Sequence, residues 1–139
     1  MKESIKLKLK ENLTLEEGVK LFPYKCTRGK LTIGIGRNIE EVGITREEAG
    51  YLLENDIKKL ERVPYKYINN FDKLSEDRQT VIYEMLFQLG EPKFAGFREM
   101  IKAINAGDFY KASCEMQDSV WAAQTPDRVR RLATRMAVG

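Results

Sequence analysis

Apolar residues recur at helical spacing over most of this chain and alternate over one short stretch only. Ile5, Leu9 and Leu13 fall on one face of a helix predicted over residues 4–17. Gly18 ends that helix or permits a sharp exit. The period then shortens to two. Leu31-Thr32-Ile33-Gly34-Ile35-Gly36 alternates as a strand does, after a turn at Thr27-Arg28-Gly29-Lys30. Glycines weaken a strand, so their presence points to close approach by another segment or a ligand. Helical spacing resumes after Thr45-Arg46-Glu47-Glu48, a capping box with threonine as N-cap and glutamate three residues on. Ala49, Leu52, Leu53, Ile57 and Leu60 carry that helix, which should stop before Pro64.

Residues 65–73 are polar and aromatic and read as a joint between lobes. Ser75 caps the next helix, which contains Val81, Ile82, Met85, Leu86 and Leu89, with Gly90 as its C′ residue. Three further helical pieces are expected over residues 95–105, 108–118 and 126–136. Thr125 is the expected N-cap of the last, and Pro126 its first residue. The pattern as a whole is α+β: a small three-segment sheet lobe, a connecting helix and a helical lobe.

Composition narrows the function classes. At 139 residues the chain fits one domain, or two small lobes sharing a helix; 42% hydrophobic and 32% charged residues describe an ordinary globular protein. The net charge of +3 suits a polyanionic target without specifying one. Nucleic-acid binders concentrate their positive charge, and the densest run here, Arg128-Val129-Arg130-Arg131, is equally explained by a helix C-terminus. No segment approaches the ~18 consecutive apolar residues of a membrane span. The first eleven residues alternate lysine with apolar positions and do not read as a signal peptide. Cys26 and Cys114 are expected as free thiols in a reducing compartment, and with no histidine a metal centre or other cofactor is not expected.

Glu17, Cys26 and Thr32 are the candidates for chemistry. They place a carboxylic acid, a thiol and a hydroxyl around one tight turn. Cleaving a glycosidic bond needs a proton donor for the leaving oxygen and a second group that handles water or the sugar cation. A carboxylate at a helix C-terminus is disfavoured by the helix dipole, so Glu17 invites a functional explanation. As a general acid it would need partial burial to raise its pKa. Each residue also has an ordinary reading: a solvated helix end, a small buried hydrophobe, a strand threonine. Lys25, Arg28 and Lys30 beside Cys26 favour a thiolate.

The spacing Glu-x8-Cys-x5-Thr resembles the catalytic signature of the phage-type lysozymes, the endolysins of the T-even phage kind. The likeness extends through Leu31-Thr-Ile-Gly-Ile-Gly36, Ile44-Thr-Arg-Glu-Glu-Ala49, Met85-Leu-Phe-Gln-Leu-Gly-Glu91, Ala95-Gly-Phe97 and Trp121-Ala-Ala-Gln-Thr-Pro-Asp-Arg128, in the family's order. It implies a two-lobed lysozyme-like fold in one domain over residues 1–139. Residues 18–63 would form the β-containing lobe with its connecting helix, and residues 1–17 and 64–139 the helical lobe. It implies muramidase activity, with Glu17 as general acid, Cys26 in the position of the base that activates water, and Thr32 holding that water. Arg128 would brace Glu17. Phe87, Gln88 and Asn38 would line the substrate cleft.

The resemblance further implies a peptidoglycan glycan strand as partner, an inverting outcome, no cofactor, no nucleic acid and no membrane insertion. It implies a monomer held in the host cytoplasm until a separate pore protein releases it to the wall. Two departures stand out. Arg37 occupies the place of the family's usual histidine, which bears on stability or pH response more than on activity, and Cys26 replaces the commoner aspartate. The competing readings are a wall-binding protein that has lost turnover through Cys26, and a small helical interaction module. The second gives no account of the Glu17–Thr32 spacing.

Overall fold

The computed structural model describes all residues 1–139. The chain forms eight α-helices and one three-stranded antiparallel sheet of order β1-β2-β3. In chain order the elements are α1 (Glu3–Glu17), β1 (Lys20–Lys25), β2 (Leu31–Gly34), β3 (Arg37–Asn38), α2 (Arg46–Leu60), α3 (Glu76–Leu89), α4 (Glu91–Ala95), α5 (Arg98–Asn105), α6 (Phe109–Gln117), α7 (Val120–Gln124) and α8 (Pro126–Val138). The chain packs as two compact units, Met1–Tyr51 and Leu52–Gly139, with the division falling inside α2.

The first unit is held by its backbone and polar side chains. Its one buried residue is Thr32, and Ile5, Leu9 and Leu13 of α1 stay exposed. Gly18 ends α1 by donating its N–H to Thr14 O at 3.0 Å. By this division residues 1–17 group with the hairpin they lead into, where the family resemblance implies the helical lobe. The capping box at Thr45 forms as expected: Thr45 N donates to Glu48 Oε1 at 2.9 Å, and Glu48 N to Thr45 Oγ1 at 3.1 Å.

The second unit contains the entire apolar core. Val81, Ile82, Met85 and Leu86 of α3 meet Phe94, Met100, Met116, Trp121, Val129, Leu132 and Met136 from the later helices. Helical spacing put these residues on inward faces, and burying each one stabilises the fold by about 1.5–3 kcal/mol before side-chain entropy is subtracted. Ser75 caps α3, accepting from Arg78 N at 3.2 Å. The Arg78 side chain then closes the far end of α8: Nε and Nη2 donate to the carbonyls of Met136 and Ala137 at 2.8 and 3.0 Å. Its guanidinium also lies 3.6 Å over the Phe109 ring.

Two expectations are revised. Residues 65–73 are not a joint. They wind into two short 3-10 turns that bury Ile68 and Phe71 in the core of the second unit. The helix expected over 95–105 is two, because the chain turns at Gly96 and Phe97 between α4 and α5. Thr125 takes the N-cap position of α8 with Pro126 at its start, as expected, but makes no side-chain cap bond; its hydroxyl donates back to Trp121 O at the end of α7, a helix the apolar spacing did not reveal.

Candidate active site

The hairpin of β1 and β2 brings Cys26 and Thr32 together around one carbonyl. Lys30 O accepts the Cys26 N–H at 3.0 Å and the Thr32 hydroxyl at 2.9 Å. Gly29 N returns to Cys26 O at 2.8 Å, closing the turn that the Thr27–Lys30 sequence predicts. In the strand register Thr32 stands opposite Tyr24 on one side and Asn38 on the other. Cross-strand partners share a face, so Tyr24, Thr32 and Asn38 form one row on the sheet. Between these neighbours Thr32 is only 3% exposed.

The Cys26 thiol is held below its ordinary pKa. Backbone N–H groups of Lys30 and then Arg28 favour the thiolate; the Thr32 hydroxyl and the Arg28 charge add to this, against partial desolvation. Thr32 has a single hydroxyl hydrogen and two acceptors within reach, Lys30 O and the Cys26 sulfur. The bond to Lys30 is the one with the geometry of a good hydrogen bond.

Glu17 ends α1 at an exposed position, without the partial burial expected of it. Its carboxyl rests on Gly36, between β2 and β3. A Cβ at Gly36 would lie 2.8 Å from both Cδ and Oε2 of Glu17. The close approach that the strand glycines foretold is therefore made by this carboxylate. Arg37 follows, with φ-positive Gly36 behind it. Its Nη1 donates to Gly43 O at 3.2 Å and to Glu48 Oε1 at 3.1 Å, and its Nη2 lies 3.0 Å from Glu48 Oε2. One glutamate thus serves both the α2 cap and the start of β3, in keeping with a structural part for Arg37.

Asn38 is occupied locally. Its amide donates to Glu41 Oε2 at 3.1 Å, and its carbonyl oxygen accepts Glu41 N at 3.1 Å. Lys30 is pinned from the same loop, 3.0 Å from Glu41 Oε1 and 3.4 Å from Glu40 Oε2. Lys30 stood out in the sequence as a cation beside Cys26, but its pairing with Glu41 had no signal there, since it depends on how the loop over residues 38–43 folds back.

The other three candidates belong to the second unit. Phe87 is half-exposed and lines an apolar hollow of about 480 Å³ with Leu53, Ile57, Leu60, Tyr83 and Arg128. Arg128 sits in the first turns of α8, placed by the Thr125-Pro126 start, so the Arg128–Arg131 run lies in the N-terminal half of that helix and not at a helix C-terminus as expected. Gln88 accepts the Trp121 indole N–H at 3.0 Å and donates to Thr125 Oγ1 at 3.5 Å. Its amide therefore ties α3 to α7, and Trp121 is a buried member of the core. No group of three or more histidine, cysteine or acidic side chains is gathered for a metal ion, and no helix is long and apolar enough to cross a membrane.

Comparison with known proteins adds an independent line. The family described as phage lysozyme matches residues 14–137. "Probable T4-type lysozyme 1" of Dictyostelium discoideum is 30% identical over 166 residues, covering 94% of each chain. "Endolysin" of Acyrthosiphon pisum secondary endosymbiont phage 1 is 31% identical over 103 residues, covering 71% of this chain and 68% of its own. "Pre-baseplate central spike protein Gp5" of Enterobacteria phage T4 is 30% identical over 161 residues, covering 96% of this chain but 28% of its own.

Proposed function

The chain belongs to the phage lysozyme family and is a glycosidase that cleaves bacterial peptidoglycan, and from that premise we propose the roles of its site residues. Glu17 is the general acid that protonates the leaving glycosidic oxygen. Cys26 takes the position of the base and accepts a proton from the attacking water. Thr32 orients that water: with its hydrogen given to Lys30 O, its lone pairs are left to accept. Arg128, at the start of α8 in the second unit, keeps the supporting role that the family resemblance implies. The bond cut is the β-1,4 link from N-acetylmuramic acid to N-acetylglucosamine, with inversion.

The observation that carries this reading is the shared Lys30 carbonyl, which holds the Cys26 backbone and the Thr32 hydroxyl together on the hairpin, with the Glu17 carboxyl seated at Gly36 in the turn between β2 and β3. Such preorganisation is what acid–base catalysis requires of its groups. Asn38 in the first unit, and Phe87 and Gln88 in the second, are the residues assigned to glycan binding. The two amides, tied to Trp121 and Glu41, offer fixed edges instead of free hydrogen-bonding groups. The protein acts as a monomer, and if phage-encoded it depends on a separate pore protein for release.

Clearing of a peptidoglycan suspension, with Glu17→Gln and Cys26→Ser beside the parent, tests the assignment. The parent should clear, Glu17→Gln should lose activity by about 10²–10⁴-fold, and Cys26→Ser should retain an intermediate rate. Full activity in Glu17→Gln would remove the acid from its role. A parent that binds the wall without clearing it would turn the reading to a wall-binding protein.

A further inference from the structure

The hairpin turn that carries Cys26 and Thr32 is an exposed loop in a unit without an apolar core, yet one of its carbonyls fixes both residues. The loop over residues 38–43 holds the residue that bears this carbonyl by its side chain, and the next residue by its backbone. Glu41 Oε1 and Glu40 Oε2 lie 3.0 and 3.4 Å from Lys30 Nζ. Glu40 also reaches the next residue: Leu31 N lies 3.4 Å from Glu40 Oε1, and Glu40 N donates to Leu31 O at 3.2 Å. Glu41 is anchored in turn by both polar atoms of the Asn38 amide. Asn38 is the register partner of Thr32 on β3. The contacts close a ring: Thr32 to Lys30, Lys30 to Glu41, Glu41 to Asn38, Asn38 to Thr32.

We propose that Lys30, Glu40 and Glu41 form a positioning clamp for the catalytic hairpin, holding the Lys30 carbonyl in the place where Cys26 and Thr32 share it. The proposal rests on the roles assigned above to Cys26 and Thr32. None of the three clamp residues touches substrate; they act through the turn. A single exposed ion pair contributes little by itself, whereas a closed network restrains the geometry of every member. Lys30, Glu40 and Glu41 side chains are 37%, 47% and 53% exposed, so salt reaches them and should loosen the clamp.

The test uses Lys30→Met, Glu41→Gln, their double variant and Lys30→Arg, all in a Cys114→Ser background so that Cys26 is the one thiol. Two readouts are taken: kcat and KM for peptidoglycan, and the rate at which iodoacetamide alkylates Cys26 as pH is raised. Lys30→Met and Glu41→Gln should each lower kcat by about 3–10-fold with KM unchanged, and the double variant should be no worse than the poorer single one. Lys30→Arg should restore most of the loss. The alkylation profile should shift in Lys30→Met and return in Lys30→Arg, and the parent profile should move towards that of Lys30→Met at high salt.

Kinetics and alkylation within twofold of the parent in both single variants would overturn the clamp, as would additive losses in the double one. Thermal unfolding identifies variants that fail to fold, for which Glu40→Gln supplies a milder replacement. If the parent itself fails to clear peptidoglycan, the catalytic roles fall. The alkylation profiles still decide whether Lys30 and Glu41 fix the turn.

Discussion

Replacing Gly36 by alanine should damage the enzyme far more than the fold. The backbone there has φ +67°, in the left-handed region, so alanine brings strain of about 1–2 kcal/mol. For a chain of this size that lowers Tm by about 3–6 °C. The new methyl would also stand 2.8 Å from the Glu17 carboxyl carbon and Oε2, against an ordinary contact of 3.4 Å or more. Glu17 is exposed, so its side chain can swing aside at little energetic cost. It does so by leaving the seat from which it would donate its proton. Displacing a reacting group by about 1 Å is worth about 10²-fold in rate.

Gly34→Ala is the control. Gly34, two residues earlier at the end of β2, has φ +70°, and a Cβ there meets nothing within 4 Å. Both variants therefore carry the same backbone strain, and only one touches the acid. Thermal unfolding by circular dichroism should show similar losses, while peptidoglycan clearing at a temperature where both are folded should fall about 10²-fold in Gly36→Ala alone. Equal clearing rates in the two variants would refute the idea that Gly36 seats Glu17.

Three further outcomes test other contacts. The Glu48 carboxyl is held below the ordinary carboxylate range, first by the Thr45 backbone N–H and then by Arg37 and the Thr45 hydroxyl. A depressed folded pKa stabilises above the unfolded pKa and loses that stabilisation as pH falls through the folded value. The Tm difference between parent and Glu48→Gln should accordingly be largest near neutral pH and shrink below about pH 4.5. Trp121→Phe removes the indole donor to Gln88 and leaves a void in the core, so denaturant melts should show a loss of about 1–3 kcal/mol. Ser75→Ala removes the cap of α3 and should reduce stability by about 1 kcal/mol in the same assay.

Much of the fold could be read from period and punctuation. The capping box at Thr45, the Ser75 cap and the stop at Gly90 are local rules acting over three or four residues, and each forms as written. The core of the second unit follows from helical spacing because packing there is decided by which face is apolar. Residues 65–73 misled because their aromatics looked like a surface joint; Phe71 instead packs edge-on between Tyr65 and Tyr83. The short helix α7 was hidden, since five residues are too few to show a period. At the site, the Cys26–Thr32 pair was legible from a hairpin of known turn length. Tyr24 and Asn38 as neighbours of Thr32 were not, because that requires the register of all three strands.

The two units divide the labour in a way that polar chemistry itself explains. The second unit is ordered by burial, which is non-directional and tolerates small displacements of any one side chain. The first contains the proposed acid and base and buries no hydrophobic side chain. Its order comes from directional contacts: a carbonyl shared by an N–H and a hydroxyl, an asparagine that grips a glutamate with both ends of its amide, an arginine bidentate to a capping carboxylate. Hydrogen bonds fix orientation more tightly than packing does, and orientation is what proton transfer needs. The same choice carries a vulnerability. Ion pairs that are a third to a half exposed are screened by salt, whereas an apolar core is not weakened in that way. Raising ionic strength should therefore loosen the hairpin, and with it the proposed acid and base, before it disturbs the helices.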